Sequence, residues 1–481
     1  MKNSRTKRGI FFGLLCAAVV FAPLAAFAAG QTIAIDKPIT GDVYGNGDSP
    51  DGSVPNGGAG PLQNLNGNTV EIQSKGVVDG DVYGSFFDDA TGSAIASGNF
   101  VTIDGGKVNG GALGGYISLS GGAVSADNNG VILDSGSVGD VIYGGYSLSD
   151  GQAHAAGNTV TINGGTASDD IYGGRSYGDG DSAESLNNSV TITGGMVGGS
   201  IYGGRSYGDG GSANSLNNSV TVTGGTVGGG YIYGGYADSD GSGKSGVASG
   251  NSVVLSDVNI TGFGCMVFGG YSLVDGYGET GAATGNGVTI SDDLTLSGSG
   301  VLSVFGGFVG DNFGIPESGM DAFTGNTLSK DSAVAVGSAG NFENIVFGYT
   351  GDANITTLDT TPGGSEQTTV NIDTGSNNVN FNGIITGSGN IDKKGSGELT
   401  LTDITALTGT ITLSEGAIKN ATNAPIDVIV NGTSQQLAPG ESTKPKPNNP
   451  NNGGGGCDAG AGVFALALLP LACAGMKRKE K

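Results

Sequence analysis

The side chains that most often perform acid–base chemistry near neutral pH are scarce in this sequence. Its 481 residues include one histidine, His154, in the segment GQAHAAGN. Catalysis by a Ser/His/Asp or Cys/His set needs an imidazole beside the nucleophile, and we expect His154 to be a solvated loop residue. Of the four cysteines only Cys265 lies away from the two ends, in the apolar run CMVF. We therefore expect a small buried core residue there, with no disulfide and no cysteine or histidine metal site.

Carboxylates are more numerous and could act without a histidine. Consecutive aspartates occur at Asp88-Asp89, Asp169-Asp170 and Asp292-Asp293. Two carboxylates that cleave a glycosidic bond must face the same substrate, whereas neighbours on a strand point to opposite faces. The sequence therefore predicts a protein without catalysis, and the alternative is a carbohydrate-active enzyme that uses aspartates.

Two acidic segments have the composition of cation-binding loops. GDGDS contains Asp179 and Asp181, and DSDGSG contains Asp238 and Asp240. Alternating oxygens with flexible glycine suit calcium, but neither segment has the spacing of an EF-hand or of the nonapeptide calcium repeat. We expect solvated turns and no cofactor, with calcium bridging neighbouring loops as the weaker alternative.

One further set of residues recurs at a fixed place along the chain. Each lies two positions beyond the glycine that follows an aromatic marker, and stacking in register would form an exposed strip of rings and guanidinium groups. The members of this candidate strip are Tyr146, Arg175, Arg205, Tyr236, Tyr271 and Phe308. We favour a ladder that stiffens the fold, and the alternative is a surface that binds a glycan or a protein.

These residues belong to a repeat of about 30 residues. Between Asn158 and Asn217 the chain reads NTVTINGGTASDDIYGGRSYGDGDSAESLN and then NSVTITGGMVGGSIYGGRSYGDGGSANSLN. One marker is an asparagine, at Asn68, Asn99, Asn129, Asn158, Asn188, Asn218, Asn251, Asn286 and Asn326. The other is an aromatic residue or leucine before glycine, at Tyr83, Leu113, Tyr143, Tyr172, Tyr202, Tyr233, Phe268, Phe305 and Phe347. Self-similarity at a fixed period indicates a solenoid.

The pattern within one repeat predicts how its backbone runs. Val190–Ile192 and residues 200–202 alternate in β-branched and aromatic residues between paired glycines, which predicts two short strands with glycine at the corners. We expect the repeated asparagines to form a ladder along the stack. The third part of each coil, such as Ser176–Leu186, is predicted to be a solvent-facing loop.

The predicted fold is all-β, a right-handed parallel β-helix of coils of about 30 residues. Residues 29–66 would form an N-terminal cap, 67–350 the regular coils and 351–440 a Thr/Asn-rich continuation. The 97 glycines and the absence of tryptophan suit a thin repetitive core. The formal charge is −24, and it reaches −30 in residues 29–457 because both ends are basic. Such an acidic body excludes nucleic acid as a partner.

The two ends have the composition of targeting segments. Residues 1–28 combine basic residues, an apolar run and a small-x-small ending, which predicts a secretory signal peptide cut between Ala28 and Ala29. Residues 441–456 are rich in Pro, Asn and Gly and predict an extended spacer. Residues 457–481 begin with Cys457 and end in a basic cluster after an apolar run, which predicts a membrane segment with a cytoplasmic basic end.

Two stretches resemble known families. The segment from Phe381 to Ile418 resembles the passenger-associated transport repeat of autotransporter proteins, which implies that the parallel β-helix continues. The matching residues are Gly387, Gly389, Ile391, Lys393 or Lys394, Gly395, Gly397, Leu399, Leu401, Gly409 and Ile411.

The second resemblance lies at the C-terminal end. The order of glycine run, Cys457, short apolar segment and basic end is similar to the Synerg-CTERM protein-sorting domain. That resemblance implies an envelope sorting or processing enzyme as a partner, and Cys457 as the residue that is processed or lipidated. A plain C-terminal membrane anchor is the alternative.

Taken together, these patterns predict an exported, envelope-anchored protein at the cell surface. Repetition favours an extended surface over a single active site, so we expect an adhesin-like or surface-coat protein with no catalysis. The alternatives are a carbohydrate-active β-helix enzyme and a purely structural surface-layer component.

Overall fold

The structure is a computed structural model that describes most of the chain between residues 30 and 445. The described residues are 30–47, 52, 65–89, 92–240, 244–262, 264–274, 280–291, 294–297, 301–310, 320–361 and 368–445. The predicted signal peptide with Ala28 and Ala29, the predicted spacer beyond residue 445, and the tail with Cys457 lie outside them. Within the described part of the chain no helix is long and apolar enough to cross a membrane.

The described regular structure consists of short β-strands, in agreement with the alternating pattern. In the N-terminal part they are β1 (Thr32–Ile35), β2 (Pro38–Ile39), β3 (Val43–Tyr44), β4 (Thr69–Gln73), β5 (Val77–Val78), β6 (Val82–Asp89), β7 (Ala94–Ser97), β8 (Phe100–Val108), β9 (Ala112–Leu119), β10 (Ala123–Asp127), β11 (Gly130–Val138), β12 (Ile142–Ser149), β13 (Gln152–Ala156), β14 (Thr159–Ile162), β15 (Thr166–Ala167) and β16 (Ile171–Asp179). In the middle they are β17 (Ala183–Leu186), β18 (Ser189–Ile192), β19 (Met196–Val197), β20 (Ile201–Asp209), β21 (Ala213–Leu216), β22 (Ser219–Val222), β23 (Thr226–Val227), β24 (Tyr231–Asp240), β25 (Ser245–Ser249), β26 (Ser252–Leu255), β27 (Asn259–Ile260), β28 (Met266–Val274), β29 (Thr280–Ala282), β30 (Gly287–Ile290), β31 (Thr295–Leu296) and β32 (Ser303–Gly310). The C-terminal part adds β33 (Thr327–Lys330), β34 (Val336–Gly340), β35 (Asn344–Phe347), β36 (Gly351–Asp352), β37 (Ile355–Asp359), β38 (Thr369–Asp373), β39 (Val379–Gly387), β40 (Asn390–Lys394), β41 (Glu398–Leu407), β42 (Ile411–Leu413), β43 (Ala417–Asn420), β44 (Ile426–Val430), β45 (Thr433–Leu437) and β46 (Ser442–Thr443).

These strands stack coil upon coil into three long sheets, which confirms the parallel β-helix. Sheet 1 begins with β1, β4 and β8, sheet 2 with β3, β6 and β9, and sheet 3 with β7, β10 and β13. Up to β44, strands pair in parallel with strands of the next coil, as β16 does with β20. The twice-written repeat is therefore two neighbouring coils whose identical residues lie directly opposite one another.

Sheet 3 corrects the prediction that the third part of each coil is a loop. Within Ser176–Leu186, β16 continues to Asp179 and β17 occupies Ala183–Leu186 in the seven-stranded sheet 3. The segment is polar because one face of the sheet meets solvent, and its buried positions are small residues such as Ala183 and Ser185. Small inward residues give only a weak apolar alternation, which is why the sequence pattern resembled a loop.

The interior is a continuous column of aliphatic side chains from the first coils to the last. Val190, Ile192 and Ile201 are fully buried, as predicted, together with their equivalents in the other coils. Cys265 is also buried in this core and is a free thiol. Burial raises the pKa of the Cys265 thiol to about 12, so it is an inert core residue at neutral pH.

The predicted asparagine ladder is present and runs through the corner between sheets 3 and 1. The backbone N–H of Asn158 donates to Oδ1 of Asn188 at 2.9 Å, and the N–H of Asn188 donates to Oδ1 of Asn218 at 2.9 Å. The same contact continues down to Asn326, and the ladder residues are buried. Each asparagine therefore satisfies backbone groups that the turn would otherwise leave without partners.

Glycine has two different roles in a coil. Gly195 adopts a φ of +77° at a corner of sheet 1, which suits glycine because it has no Cβ. Gly203 and Gly204, predicted to turn the coil, instead lie within strand β20. A Cβ on Gly204 would lie 2.4 Å from the side chain of Asn218, so this glycine is required for close approach to the ladder.

The coils become shorter after Asn326, and sheet 3 does not continue there among the described residues. Equivalent polar positions in this part lie 20 to 28 residues apart. Phe347, predicted as the last marker of the sheet 2 column, instead lies on β35 in sheet 1 and packs into the core. The marker column ends at Phe305, which is opposite Gly340.

The segment that resembles the passenger-associated repeat places one lysine inside the helix. The Lys393 side chain is buried, and its Nζ donates to the carbonyl oxygens of Lys394, Gly395 and Glu415. Lys394 points outward, 4.0 Å from Asp392. Beyond them β44 and β45 form an antiparallel hairpin, so the parallel stack ends in a strand of reversed direction.

Candidate functional site: the outer face of sheet 2

The outer face of sheet 2 carries the side chains that the sequence analysis selected. In β16 and β20 the sequence IYGGRSYGD directs the isoleucine into the core, whereas the first tyrosine, the arginine and the second tyrosine point outward. Equivalent residues of successive strands lie opposite one another, as Tyr172 and Tyr202 do. Each outward position therefore becomes a column that runs along the solenoid.

The first of these columns consists of stacked rings. From Tyr143 to Phe305, consecutive ring centroids are 4.6 to 5.2 Å apart and the ring planes differ by 6° to 17°. Such offset stacks add stabilisation beyond the area that they bury. Some hydroxyls are held as well, since Tyr172 Oη donates to Asp170 at 3.0 Å.

The candidate strip is the second column, and its predicted register is correct. The contacts run from Tyr146 to Arg175, Arg205, Tyr236, Tyr271 and Phe308 in consecutive strands. Two residues at its N-terminal end were missed, because Phe86 lies opposite Tyr116 and Tyr116 lies opposite Tyr146. The eight side chains are half-buried, since they pack against the first column.

The stacking decides which atoms of the strip can meet a partner. Tyr236 and Tyr271 are 4.9 Å apart and nearly parallel, and Tyr271 and Phe308 are 4.8 Å apart. Neighbouring rings therefore cover each other's faces, and ring edges remain for contacts with solvent. A sugar that stacks on a ring face would have to displace a neighbouring ring, so the structural role of the strip is the better supported one.

The two arginines continue this stack with guanidinium groups. Arg175 Cζ is 5.1 Å from the ring centre of Tyr146, and its Nη1 donates to Tyr143 Oη at 2.9 Å. Arg205 Cζ is 4.9 Å from the ring centre of Tyr236, and its Nη2 is 4.0 Å from Asp238 Oδ2. Burial alone would lower the pKa of Arg205, but the neighbouring tyrosines raise it above its ordinary value, and the group stays charged.

The four weak calcium candidates do not form one loop. Asp179 and Asp240 lie on strands, each opposite Asp209, and so are two coils apart. Asp238 lies opposite Tyr207 and faces Arg205, and only Asp181 is in a turn. In the part of the chain that the structure describes, no cluster of three or more His, Cys, Asp or Glu side chains could hold a metal ion.

The prediction for His154 is wrong in its location. This residue lies on β13 of sheet 3, and its Nδ1 is 3.0 Å from Ser125 Oγ and 3.1 Å from Asp127 Oδ1. The hydrogen bond that His154 donates to the Asp127 carboxylate raises the pKa of His154. A catalytic triad needs the serine and the aspartate on different ring nitrogens. Here both approach the same nitrogen, so this cluster does not have the geometry of a triad.

His154 also lines an open cleft on the outside of sheet 3. The cleft has a volume of about 740 Å³, and its lining includes Ile95, Gln152 and Glu184. Small-molecule sites of this size are common. No sequence pattern pointed to this cleft, because its residues come from five coils and share no marker.

The consecutive aspartates show no paired carboxylates among the described residues. Asp169 Oδ1 accepts the backbone N–H of Asp170, and Asp170 Oδ1 accepts the backbone N–H of Ser200. Asp170 thus holds a turn to the next coil. Asp88 lies on the strand β6, and Asp292-Asp293 lies outside the described residues.

Fold and surface together define a parallel β-helix repeat protein with an aromatic outer face. No protein-family model, curated protein or solved structure matches this chain. Its function is therefore inferred from its own residues.

Proposed function

We propose that this chain is an exported, envelope-anchored, non-enzymatic repeat protein that presents sheet 2 as an adhesin-like or surface-coat face. The observation that carries this proposal is the eight-residue column from Phe86 to Phe308, which places an aromatic or arginine side chain at the same outward position of every coil that it crosses. A repeated column offers many equivalent contacts along its length. Such a surface suits multivalent attachment better than the chemistry of one bound substrate.

Export and anchoring are part of the same proposal. The basic and apolar residues 1–28, cut between Ala28 and Ala29, would direct secretion. The resemblance of residues 457–481 to a sorting domain supports an envelope processing enzyme that acts near Cys457, or a membrane-embedded tail. The spacer at residues 441–456 would separate the β-helix from the envelope.

The covered ring faces favour a structural surface coat as the second candidate. In that role the stacks stiffen a rod, and the outer face contacts other copies of the chain. The two candidates differ in what the purified protein does on its own: a coat protein assembles into ordered arrays, and an adhesin binds a foreign surface.

The experiment has two parts. Cell fractionation with mass spectrometry of the mature termini tests cleavage after Ala28 and the fate of Cys457, and a full-length cytoplasmic protein would refute export. Adhesion of cells that display the protein is then compared for the wild type and the double variant R205A/Y236A.

A matched control lies on the neighbouring face of the same two coils. Thr191 and Thr221 are partly exposed on sheet 1, so T191A/T221A makes an equal number of changes away from sheet 2. We expect the sheet 2 variant to lose adhesion and the sheet 1 control to keep it. Equal adhesion of all three proteins would reject sheet 2 as the binding face, and release of reducing ends from a polysaccharide would show an enzyme.

A further inference from the structure

The arginines of the candidate strip have a distribution that stacking alone does not require. Arg175 and Arg205 are the only arginines between Arg8 and Arg478 in the sequence. The structure places these two directly opposite each other on adjacent strands. We propose that this arginine pair is an anion subsite that binds a carboxylate of an acidic glycan lying across the two coils. This inference rests on the proposed surface-binding function and names its ligand class.

Placing the two arginines side by side carries an electrostatic cost. Adjacent strands are about 4.8 Å apart, and like charges directly opposite each other destabilise a sheet. Aromatic residues occupy the equivalent position in the coils on both sides, Tyr146 before and Tyr236 after. A ring at both positions would continue the stack without this repulsion, so the pair is explained better by an anion that offsets it.

The contacts of the two guanidinium groups leave hydrogen-bond donors for such an anion. Arg175 contacts Tyr143 and Tyr146 of the preceding coil. Arg205 contacts Tyr236 and Asp238 of the following coil and also forms a hydrogen bond with Tyr172 of the preceding coil. The Nε atoms of both arginines are buried and have no hydrogen-bond partner in the described structure, so an anion that comes from solvent would meet the Nη groups. A guanidinium has five N–H donors in a planar fork that matches a carboxylate, and these contacts use few of them.

The pair is locally positive although the whole chain is acidic. Asp238 is the carboxylate in ion-pair contact with the pair, and its separation of 4.0 Å from Arg205 makes that contact weak. Asp179 and Asp209 follow the arginines by four residues on the same strands, which is about 13 Å along a strand. That exceeds the screening length of about 8 Å at physiological ionic strength. An anion placed at the guanidinium groups therefore meets two cations and Asp238, and the acidic column begins beside Tyr177, whose hydroxyl donates to Asp209 at 3.5 Å.

The neighbouring column suggests a sugar as the carrier of the carboxylate. Tyr177 and Tyr207 lie two residues beyond the arginines, and their rings stack at 4.8 Å. Burial is the first cause that raises the pKa of Tyr207 to about 12, so its hydroxyl stays protonated and can donate. Tyr177 Oη donates to Asp209 Oδ2 at 3.5 Å, so its oxygen can accept a hydrogen bond from a ligand hydroxyl, whereas the Tyr207 hydroxyl can donate one. Two such hydroxyls beside two guanidinium groups suit a ligand that carries both hydroxyls and a carboxylate, as an acidic sugar does.

The test measures binding of two tetrasaccharides of different charge to the mature protein by calorimetry. The probes are the galacturonic acid tetramer and the neutral galactose tetramer. We expect the acidic tetramer to bind more tightly, and its affinity to fall at least tenfold in R175Y/R205Y, which continues the ring column. D238N, which removes the competing carboxylate, should bind it more tightly than the wild type. The T191A/T221A control should bind it as the wild type does.

Each outcome bears on the inference. Equal affinity for the two tetramers, or an unchanged affinity in both R175Y/R205Y and D238N, overturns it. Equally tight binding of a polyglutamate peptide overturns the choice of a glycan and points to an acidic protein. If circular dichroism shows that R175Y/R205Y is unfolded, the inference is tested instead with D238N and with R175K/R205K, which keeps the two charges but removes the planar guanidinium groups. If these binding tests fail but the wild-type protein still mediates adhesion, only the anion subsite is rejected and the proposed function stands. If the wild-type protein is not exported or does not mediate adhesion, the proposed function itself is rejected.

Discussion

The asparagine ladder predicts a large loss of stability from one buried amide. Asn188 is a fully enclosed member of the ladder, and its Oδ1 accepts both the backbone N–H and the side-chain Nδ2 of Asn158, at 2.9 and 3.0 Å. Its own Nδ2 donates to the Ala155 carbonyl and to Ser185 Oγ. Asn188→Ala removes all of these contacts at once and leaves the backbone N–H of Asn158 without its acceptor.

The magnitude follows from the groups left without partners. A buried donor without an acceptor costs about 1–3 kcal/mol, and each ordinary hydrogen bond that is lost costs about 1 kcal/mol more. With one orphaned backbone N–H and several lost side-chain bonds, we expect the free energy of unfolding to fall by about 3–5 kcal/mol. In a solenoid each coil contacts its neighbours, so the loss should be concentrated in the coils next to residue 188.

Two measurements check this prediction. Urea unfolding gives the change in stability, and amide hydrogen exchange at Asn158 shows whether the opening is local. The control is Asn163→Ala, because Asn163 is exposed and its Nδ2 donates to Asp134 at the surface. If the two substitutions cost the same, or if exchange at Asn158 is unchanged, the ladder does not stabilise the corner as argued.

The remaining predictions concern glycine and two titratable side chains. Gly204→Ala should destabilise the protein strongly, because its Cβ would lie 2.4 Å from a ladder amide. Gly230→Ala is the control, because a Cβ at Gly230 meets no atom within 4 Å. Coinciding thermal melts of the two variants would contradict this prediction. Burial lowers the pKa of Lys393 to about 8. Above pH 8 the unfolded chain therefore binds more protons than the folded protein, and the free energy of unfolding should rise between pH 7.5 and 9.5. Denaturant titrations of Lys393→Met should show a weaker rise. The pKa of His154 is raised by Asp127, so its stabilising contribution is present below its unfolded pKa of about 6.5 and is lost as the pH rises through the higher folded value. Urea midpoints of His154→Gln should therefore fall below those of the wild type at pH 5.5 and match them at pH 8.5, and equal differences at both pH values would refute the contact.

Features that repeat along the chain could be predicted from the sequence. The spacing of the asparagines fixed the register of the coils, and therefore also placed Arg175 opposite Arg205. Repetition works in this way because each side chain meets its own equivalent in the next coil, so one position determines a whole column. The ladder and the candidate strip were both found through this rule.

Features that depend on contacts within a coil could not be predicted in the same way. Sheet 3 was missed because its inward positions are mostly alanine, serine and glycine, which give only a weak apolar alternation. Phe347 was assigned to the wrong sheet because the coils after Asn326 are shorter, and a marker then moves to another face. In the cluster of His154, Ser125 and Asp127, Ser125 is the register partner of His154. The contact of His154 with Asp127 joins non-equivalent positions of two coils, and no periodic rule detects it.

The register of the duplicated coils also has a consequence for the length of the gene product. Removing residues 188–217 would join Asn187 to Asn218, and the new junction would read LNNSV, as the natural one at Leu186 does. Because the strands on either side already pair in the same register, the shorter chain can close with its ladder intact. The length of the rod can thus change between alleles in whole coils of about 4.8 Å. Such an allele would keep the fold and retain Arg175 as the single arginine of the candidate strip.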